Sequence, residues 1–263
     1  VAYVFPSNHF HLFAGFPEAN RAAFMRDFQG ELSRRITDYR GCDGEVFPKR
    51  YDARAILDAE TLLDKISYTV NNAVRHELVS HPQAWPGVGS FDKIRDDEPL
   101  VGRWLDCNKW HNLKRRQSPA SRSEAMVEYT ADLHVPTDIR GDSEAERRQT
   151  MLETIEEGRQ EFCRQQTSLD RHRHPDDPDT YTRVDWRTQQ TIDEEWCTIK
   201  KVCAGTEPGK VADYLERRRK VDKLYRHATE QWKKGEPATF PVGTYPPGQA
   251  QPVEQLAPRA PPN

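Results

Sequence analysis

No stretch of this chain reaches the ~18 consecutive apolar residues that a membrane span needs. The longest apolar run, around Phe10 to Phe16, is interrupted by His11 and Gly15, so no membrane association is expected. No charged segment leading into an apolar one opens the sequence, and export by a signal peptide is not expected either. The five cysteines, Cys42, Cys107, Cys163, Cys197 and Cys203, are odd in number, widely spaced and without a CxxC pair. That argues against a disulfide framework and a zinc knuckle, and a reducing cytoplasm is the expected location. A Gly-rich Lys-Ser/Thr phosphate loop is missing as well. So is a general positive field, because 39 Lys+Arg face 42 Asp+Glu for a net charge of -3. The balance is +1 up to Arg116 and -4 after it, so charge alone does not announce nucleic acid.

The chain has 263 residues, enough for one large or two ordinary domains with a core. Val1 to Phe5 and Asn8 to Ala14 read as extended segments separated by Pro6-Ser7, with His9, His11 and Phe13 on one face. Pro17 to Asn20 reads as a turn into a helix whose stripe is Met25, Phe28, Leu32 and Ile36. Val46-Phe47 reads as the start of a short strand. Asp58 is a good N-cap for a helix from Ala59 to about Arg75, with Leu62, Ile66 and Val70 facing inward. Further on, Ser143 to Gln165 and Lys210 to Lys233 are helix-compatible, and the polar, proline-punctuated Asp170 to Thr182 reads as a loop. Pro237 to Asn263 holds 8 of the 19 prolines and reads as an extended or disordered tail.

The chemistry concentrates near the front. In Asn8-His9-Phe10-His11-Leu12, residues two apart on a strand lie ~6.5 to 7 Å apart on one face, so two imidazoles can converge on a divalent ion. An isolated His-x-His is more often a pair of satisfied histidines than a metal site. The chain carries its own control in His172-Arg173-His174, where a charged centre and polar flanks give no strand to aim the rings. Tyr68 and Asn72 stand four residues apart on one helical face, so a helix across the histidine strand presents a phenol and an amide together. A phenol, with its pKa near ~10, is a poor nucleophile at pH 7 unless positive charge or a metal assists it. Tyr68 alone reads equally as a core or rim aromatic.

Taken in order, these pieces resemble the single-tyrosine HUH transposases, most closely the REP-associated tyrosine transposase branch. The resemblance runs through His9-Phe10-His11, Phe47-Pro48-Lys49-Arg50-Tyr51, Leu57-Asp58, Tyr68-x-x-x-Asn72 and Leu78-Val79 before Trp85-Pro86. It covers about Val1 to Phe91, and Phe240-Pro241-x-Gly243-x-Tyr245-Pro246-Pro247 is similar to the ending of larger members. Ala73 stands where the family has proline, and His76-Glu77 where it has Ala-Gly.

The resemblance implies an α+β fold: a central antiparallel sheet with the histidines on a middle strand, packed helices, then a mainly helical extension and a Pro-rich tail. The expected division is 1–118 catalytic, 119–236 helical and 237–263 tail. A strand and helix that family members carry before the histidine strand are expected to be missing here. The implied activity is cleavage and rejoining of single-stranded DNA at hairpin-bearing ends. Mg²⁺ or Mn²⁺ is implied on His9, His11 and Asn72, and Tyr68 is implied to form a 5′-phosphotyrosine and free a 3′-hydroxyl. Arg50, Arg54 and Arg75 are candidate contacts to hairpin DNA, with solvated surface charge as the competing reading. A homodimer is a further expectation, since family members often work as pairs. Two alternatives stay open. One is a catalytically inactive, domesticated descendant that binds DNA. The other is a metal-dependent hydrolase using water, for which no Asp or Glu between Val1 and Pro17 supplies a local carboxylate.

Overall fold

The structure, a computed structural model, describes residues 2–6, 9–41, 44–116, 121–167, 202–244 and 247. The His172-Arg173-His174 control, the expected loop over 170–182 and most of the Pro-rich tail lie outside the described residues. The fold is mixed helix and strand, and no helix among the described residues is long and apolar enough to cross a membrane. The chain divides into two compact units, each discontinuous in sequence: Val1–Ala14 with Leu62–Asp193, and Gly15–Thr61 with Glu194–Asn263.

The first unit begins with β1 (Ala2–Val4), paired antiparallel with β2 (His11–Phe13) in the register Val4 opposite His11 and Ala2 opposite Phe13. Alternation decides which side is dry: Ala2 and Val4 are buried while Tyr3 turns the other way. The far edge of β1 is tied by Phe5 N–H to the Val88 carbonyl (2.8 Å), Ser90 N–H to the Tyr3 carbonyl (3.0 Å) and Tyr3 N–H to Ser90 Oγ (3.0 Å). The middle position therefore belongs to β1, and the histidine strand is its outer neighbour. The expected central antiparallel sheet is not found among the described residues; their strands form three separate two-stranded sheets. The strands are too short for more, since β1 and β2 have three residues each and His9 precedes the ladder.

Behind the strands runs α2 (Ala59–Val70), continued after a break at Asn71 by the short α3 (Asn72–Arg75). The inward stripe is the one the spacing predicts: Leu62, Ile66 and Val70 are buried, and Ala73 and Val74 extend it. After α4 (Phe91–Asp96) come β4 (Leu100–Leu105), α5 (Cys107–Arg116), β5 (Met126–Ala131) and the long α6 (Glu144–Thr167). Met151 and Ile155 of α6 are buried. Ser67 Oγ donates to the Thr154 carbonyl (3.0 Å) and Asn71 Nδ2 to the Ile155 carbonyl (2.7 Å), so two buried polar groups join α2 to α6. Gly158 makes the approach possible, because a Cβ there would collide with Ser67 Oγ. β4 and β5 pair antiparallel along their full length, from Leu100 opposite Ala131 to Leu105 opposite Met126. The expected boundary at residue 118 falls between these paired strands.

The second unit contains α1 (Arg21–Arg40), β3 (Ala55–Ile56), β6 (Cys203–Ala204) and α7 (Pro208–Lys233). β3 pairs with β6 in parallel, Ala55 opposite Cys203, and no strand forms at Val46-Phe47. Asp58 caps α2 as the sequence predicts: one carboxylate oxygen accepts from Thr61 N–H (2.8 Å) and the other from Thr206 N–H (2.6 Å). These bonds hold its pKa down at about 2. Part of the Pro-rich segment is packed rather than free, since Phe240 is 2% exposed and meets Tyr225 edge-on at 5.4 Å. Pro-rich composition forbids an independent core, but one phenylalanine can still be buried by a neighbouring helix.

Candidate active site

Every member of the site lies in the first unit. β2 carries His11, the residues just before it carry His9, α2 carries Tyr68, and α3 with its exit carries Asn72, Arg75 and His76. The His9 and His11 rings stand edge-to-face with centroids 5.1 Å apart. His11 meets the Tyr68 ring edge-to-face at 5.6 Å. The Arg75 guanidinium lies over the other part of the phenol, 4.6 Å from its centroid, and Lys65 Nζ is 5.9 Å from it. Tyr68 is thus held between an imidazole and a cation, an arrangement that fixes the ring and surrounds it with positive charge.

Asn72 is fully buried, and neither its Nδ2 nor its Oδ1 has a hydrogen-bond partner. Its amide nonetheless lies close enough to His9 to favour that ring's charged form slightly. An orphaned buried amide costs ~1 to 3 kcal/mol, which makes it a feature requiring a reason. Its neighbour Asn71, one residue earlier, spends its Nδ2 on the α6 backbone, so the two amides do different things.

The imidazoles are kept neutral. Burial, followed by the proximity of His11 and His76, pushes the His9 pKa down to about 4. His11 is lowered by burial, then by His76 and Arg75, and His76 by burial, then by Arg75. His9 and His76 each keep an exposed edge, so the desolvation acts on the inward side of the rings. A neutral imidazole offers a nitrogen lone pair, the form that binds a metal ion.

The donor set fits a divalent cation: two neutral imidazoles two residues apart and an amide with no other partner. His9, His11 and Asn72 are the residues that would hold it. Among the described residues no group of three His, Cys, Asp or Glu side chains is gathered as a metal cage, and the amide is the element that such a group lacks.

Of the sequence candidates, His9, His11, Tyr68, Asn72 and Arg75 are neighbours. Arg50 and Arg54 belong to the second unit, where Arg50 lies 5.6 Å from the Tyr51 ring and Arg54 pairs with Asp52 at 3.5 Å. In the basic run of α7, Arg218 pairs with Asp222 (3.0 Å) and Lys220 with Glu216 (2.7 Å).

His76 is the residue that sequence reasoning passed over. Its ring centroid is 6.0 Å from that of His9. The helix ends there by a Schellman motif: Glu77 N–H bonds to the Val74 carbonyl and Leu78 N–H to the Ala73 carbonyl, both at 2.9 Å. Glu77 takes the left-handed conformation, φ 58°, that glycine usually supplies at this position. The signal that could have found His76 was its spacing, four residues beyond Asn72 and eight beyond Tyr68 on one helical face.

Compared with protein-family models, curated proteins and solved structures, the chain matches none.

Proposed function

We propose that this protein is a metal-dependent single-tyrosine nicking and strand-transfer enzyme for single-stranded DNA, acting at hairpin-bearing ends. The observation that carries the proposal is the junction of His11 with Tyr68 at 5.6 Å, next to His9 and the orphaned amide of Asn72. A phenol against a candidate metal centre is the pairing that phosphodiester cleavage through a tyrosyl ester requires.

Bound Mg²⁺ or Mn²⁺ would supply Lewis-acid polarisation of the scissile phosphate. The chain's own groups do the rest. Tyr68 Oη attacks phosphorus, the bond to the 3′ oxygen breaks, and the phenolic proton is transferred, directly or through solvent, to the departing oxygen. The products are a 5′-phosphotyrosine and a free 3′-hydroxyl. Attack by a 3′-hydroxyl on the tyrosyl ester reverses the step and joins strands, so no nucleotide hydrolysis is needed. Arg75 holds the ring and offers a guanidinium to the phosphate oxygens, in keeping with its place over Tyr68. Arg50 and Arg54 remain proposed backbone contacts, and a homodimer a proposed assembly.

The test is a covalent adduct assay on hairpin-bearing single-stranded oligonucleotides with Mg²⁺ or Mn²⁺. The intact protein forms a denaturation-resistant adduct at the 5′ side of the nick, and Tyr68→Phe loses it by at least ~10³-fold. Nicking that survives Tyr68→Phe without an adduct would point to water as nucleophile. Hairpin binding without any nicking would point to an inactive descendant.

A further inference from the structure

His76 is not accounted for by the two-histidine site. It is the C-cap of α3, its side chain is exposed enough to turn, and its ring stands 6.0 Å from His9, which itself stands 5.1 Å from His11. With metal–nitrogen bonds of ~2.1 Å, ring centres on one ion sit ~3.2 Å from it and ~4.5 to 5.2 Å from each other. The His9–His11 pair is already at that separation, and His76 is within about an ångström of it. The fully buried Asn72 amide, with both polar atoms unpartnered, lies against the same His9 ring. Two independent features, a third imidazole and an unsatisfied amide, therefore face one point. The sole hydrogen bonds given to His76 are those of its backbone N–H, to the Asn72 and Val74 carbonyls.

We infer that His76 is a third imidazole ligand, so that the centre takes a borderline transition-metal ion such as Mn²⁺, Co²⁺ or Zn²⁺ in preference to Mg²⁺. The inference rests on the proposed metal role of His9 and His11. Its chemical basis is ligand hardness: Mg²⁺ demands oxygen donors and dehydrates reluctantly, whereas each added imidazole favours the later first-row ions. A site of two imidazoles and one amide oxygen remains tolerant of Mg²⁺, and a site of three imidazoles does not. The Schellman ending of α3 serves this role, because the chain turns away at Glu77 and leaves His76 on the side of the strand histidines.

The experiment measures metal binding by the full chain, without DNA. Mn²⁺ affinity is read from the EPR signal of the free ion in the wild type, His76→Ala, His76→Gln and His11→Ala, with thermal melts to check folding. Both His76 variants are expected to bind Mn²⁺ at least ~10-fold more weakly while Mg²⁺ affinity, read by competition, changes less than ~3-fold. Histidine side-chain NMR of the wild type titrated with Zn²⁺ is expected to shift three imidazoles together at one equivalent, a readout that needs no variant. If His11→Ala weakens binding and the His76 variants do not, or if Zn²⁺ shifts only the His9 and His11 rings, the ligand role of His76 is overturned and the two-histidine centre stands. If His11→Ala also leaves binding unchanged, the metal centre itself falls, and this inference falls with it.

Discussion

Two antiparallel strand pairs sit in the same compact unit and could hardly be treated more differently. β1 and β2 contribute three residues each, yet Ala2 and Val4 are buried and the outer edge of β1 is fastened to Val88 and Ser90. β4 and β5 contribute six residues each with a complete ladder, yet most of their side chains face solvent, Tyr129 at 60% and Val101 at 56% exposure among them. Ladder length and integration are separate quantities. The short pair is held by what packs behind it, the stripe of α2, while the long pair is held mainly by its own hydrogen bonds. The short pair is also where the candidate chemistry lies, as expected if a site must keep its groups in place against a rigid backing.

That contrast can be attacked directly. Ile66→Ala, which empties a fully buried position behind the short pair, should cost ~2 to 5 kcal/mol in urea unfolding. Tyr129→Thr on the long pair should change stability by less than ~1 kcal/mol. Equal losses would mean that the hairpin is a structural member after all. Gly158→Ala should cost ~1 to 2 kcal/mol, because the added methyl displaces Ser67 from its bond to Thr154. A thermal melt of that variant at unchanged midpoint would show that α2 and α6 can separate freely.

Acidification tests the same region reversibly. The folded His9 titrates at about 4 and its unfolded counterpart near ~6.5, so between these values the unfolded chain holds more protons. Its contribution to stability is complete above pH ~6.5 and is lost progressively as the pH falls toward about 4. His11 and His76, also lowered, act in the same direction. Denaturation curves from pH 7 to 4 should show this loss, and His9→Gln should flatten it. The smallest effect is a gain: Glu77→Gly should add ~0.5 to 1 kcal/mol by relieving a left-handed residue that is not glycine. A melting temperature that stays put or falls would mean that Glu77 makes a compensating contact.

The parts legible in the sequence were those with short-range periodicity. The stripe Leu62, Ile66, Val70 and the stripe through Met151 and Ile155 were readable because a helix repeats its inward face within a few residues. Asp58 was readable because a cap acts three residues away. His9, His11, Tyr68 and Asn72 could be brought together on paper by two periods, one of strand and one of helix. The missing pieces depend on partners far along the chain. β6 has two residues, Cys203 and Ala204, and exists only because Ala55 and Ile56 accept it. The β4–β5 ladder spans a segment whose alternation is poor because neither face is fully buried, so no period-two signal marks it. His76 was masked by the helix ending beside it.

The carboxylate of Asp58 holds two backbone amides, one three residues ahead and the other 148 residues ahead. During synthesis the first partner is available at once, and the second emerges only after more than half of the remaining chain has been made. The helix that carries Tyr68 therefore starts life with a half-filled anchor and completes it late. A nascent chain stalled before Thr206, or a cleaved amino-terminal piece, presents the tyrosine without the finished support at the head of its helix. The candidate nucleophile is in this way tied to the completion of the protein that bears it.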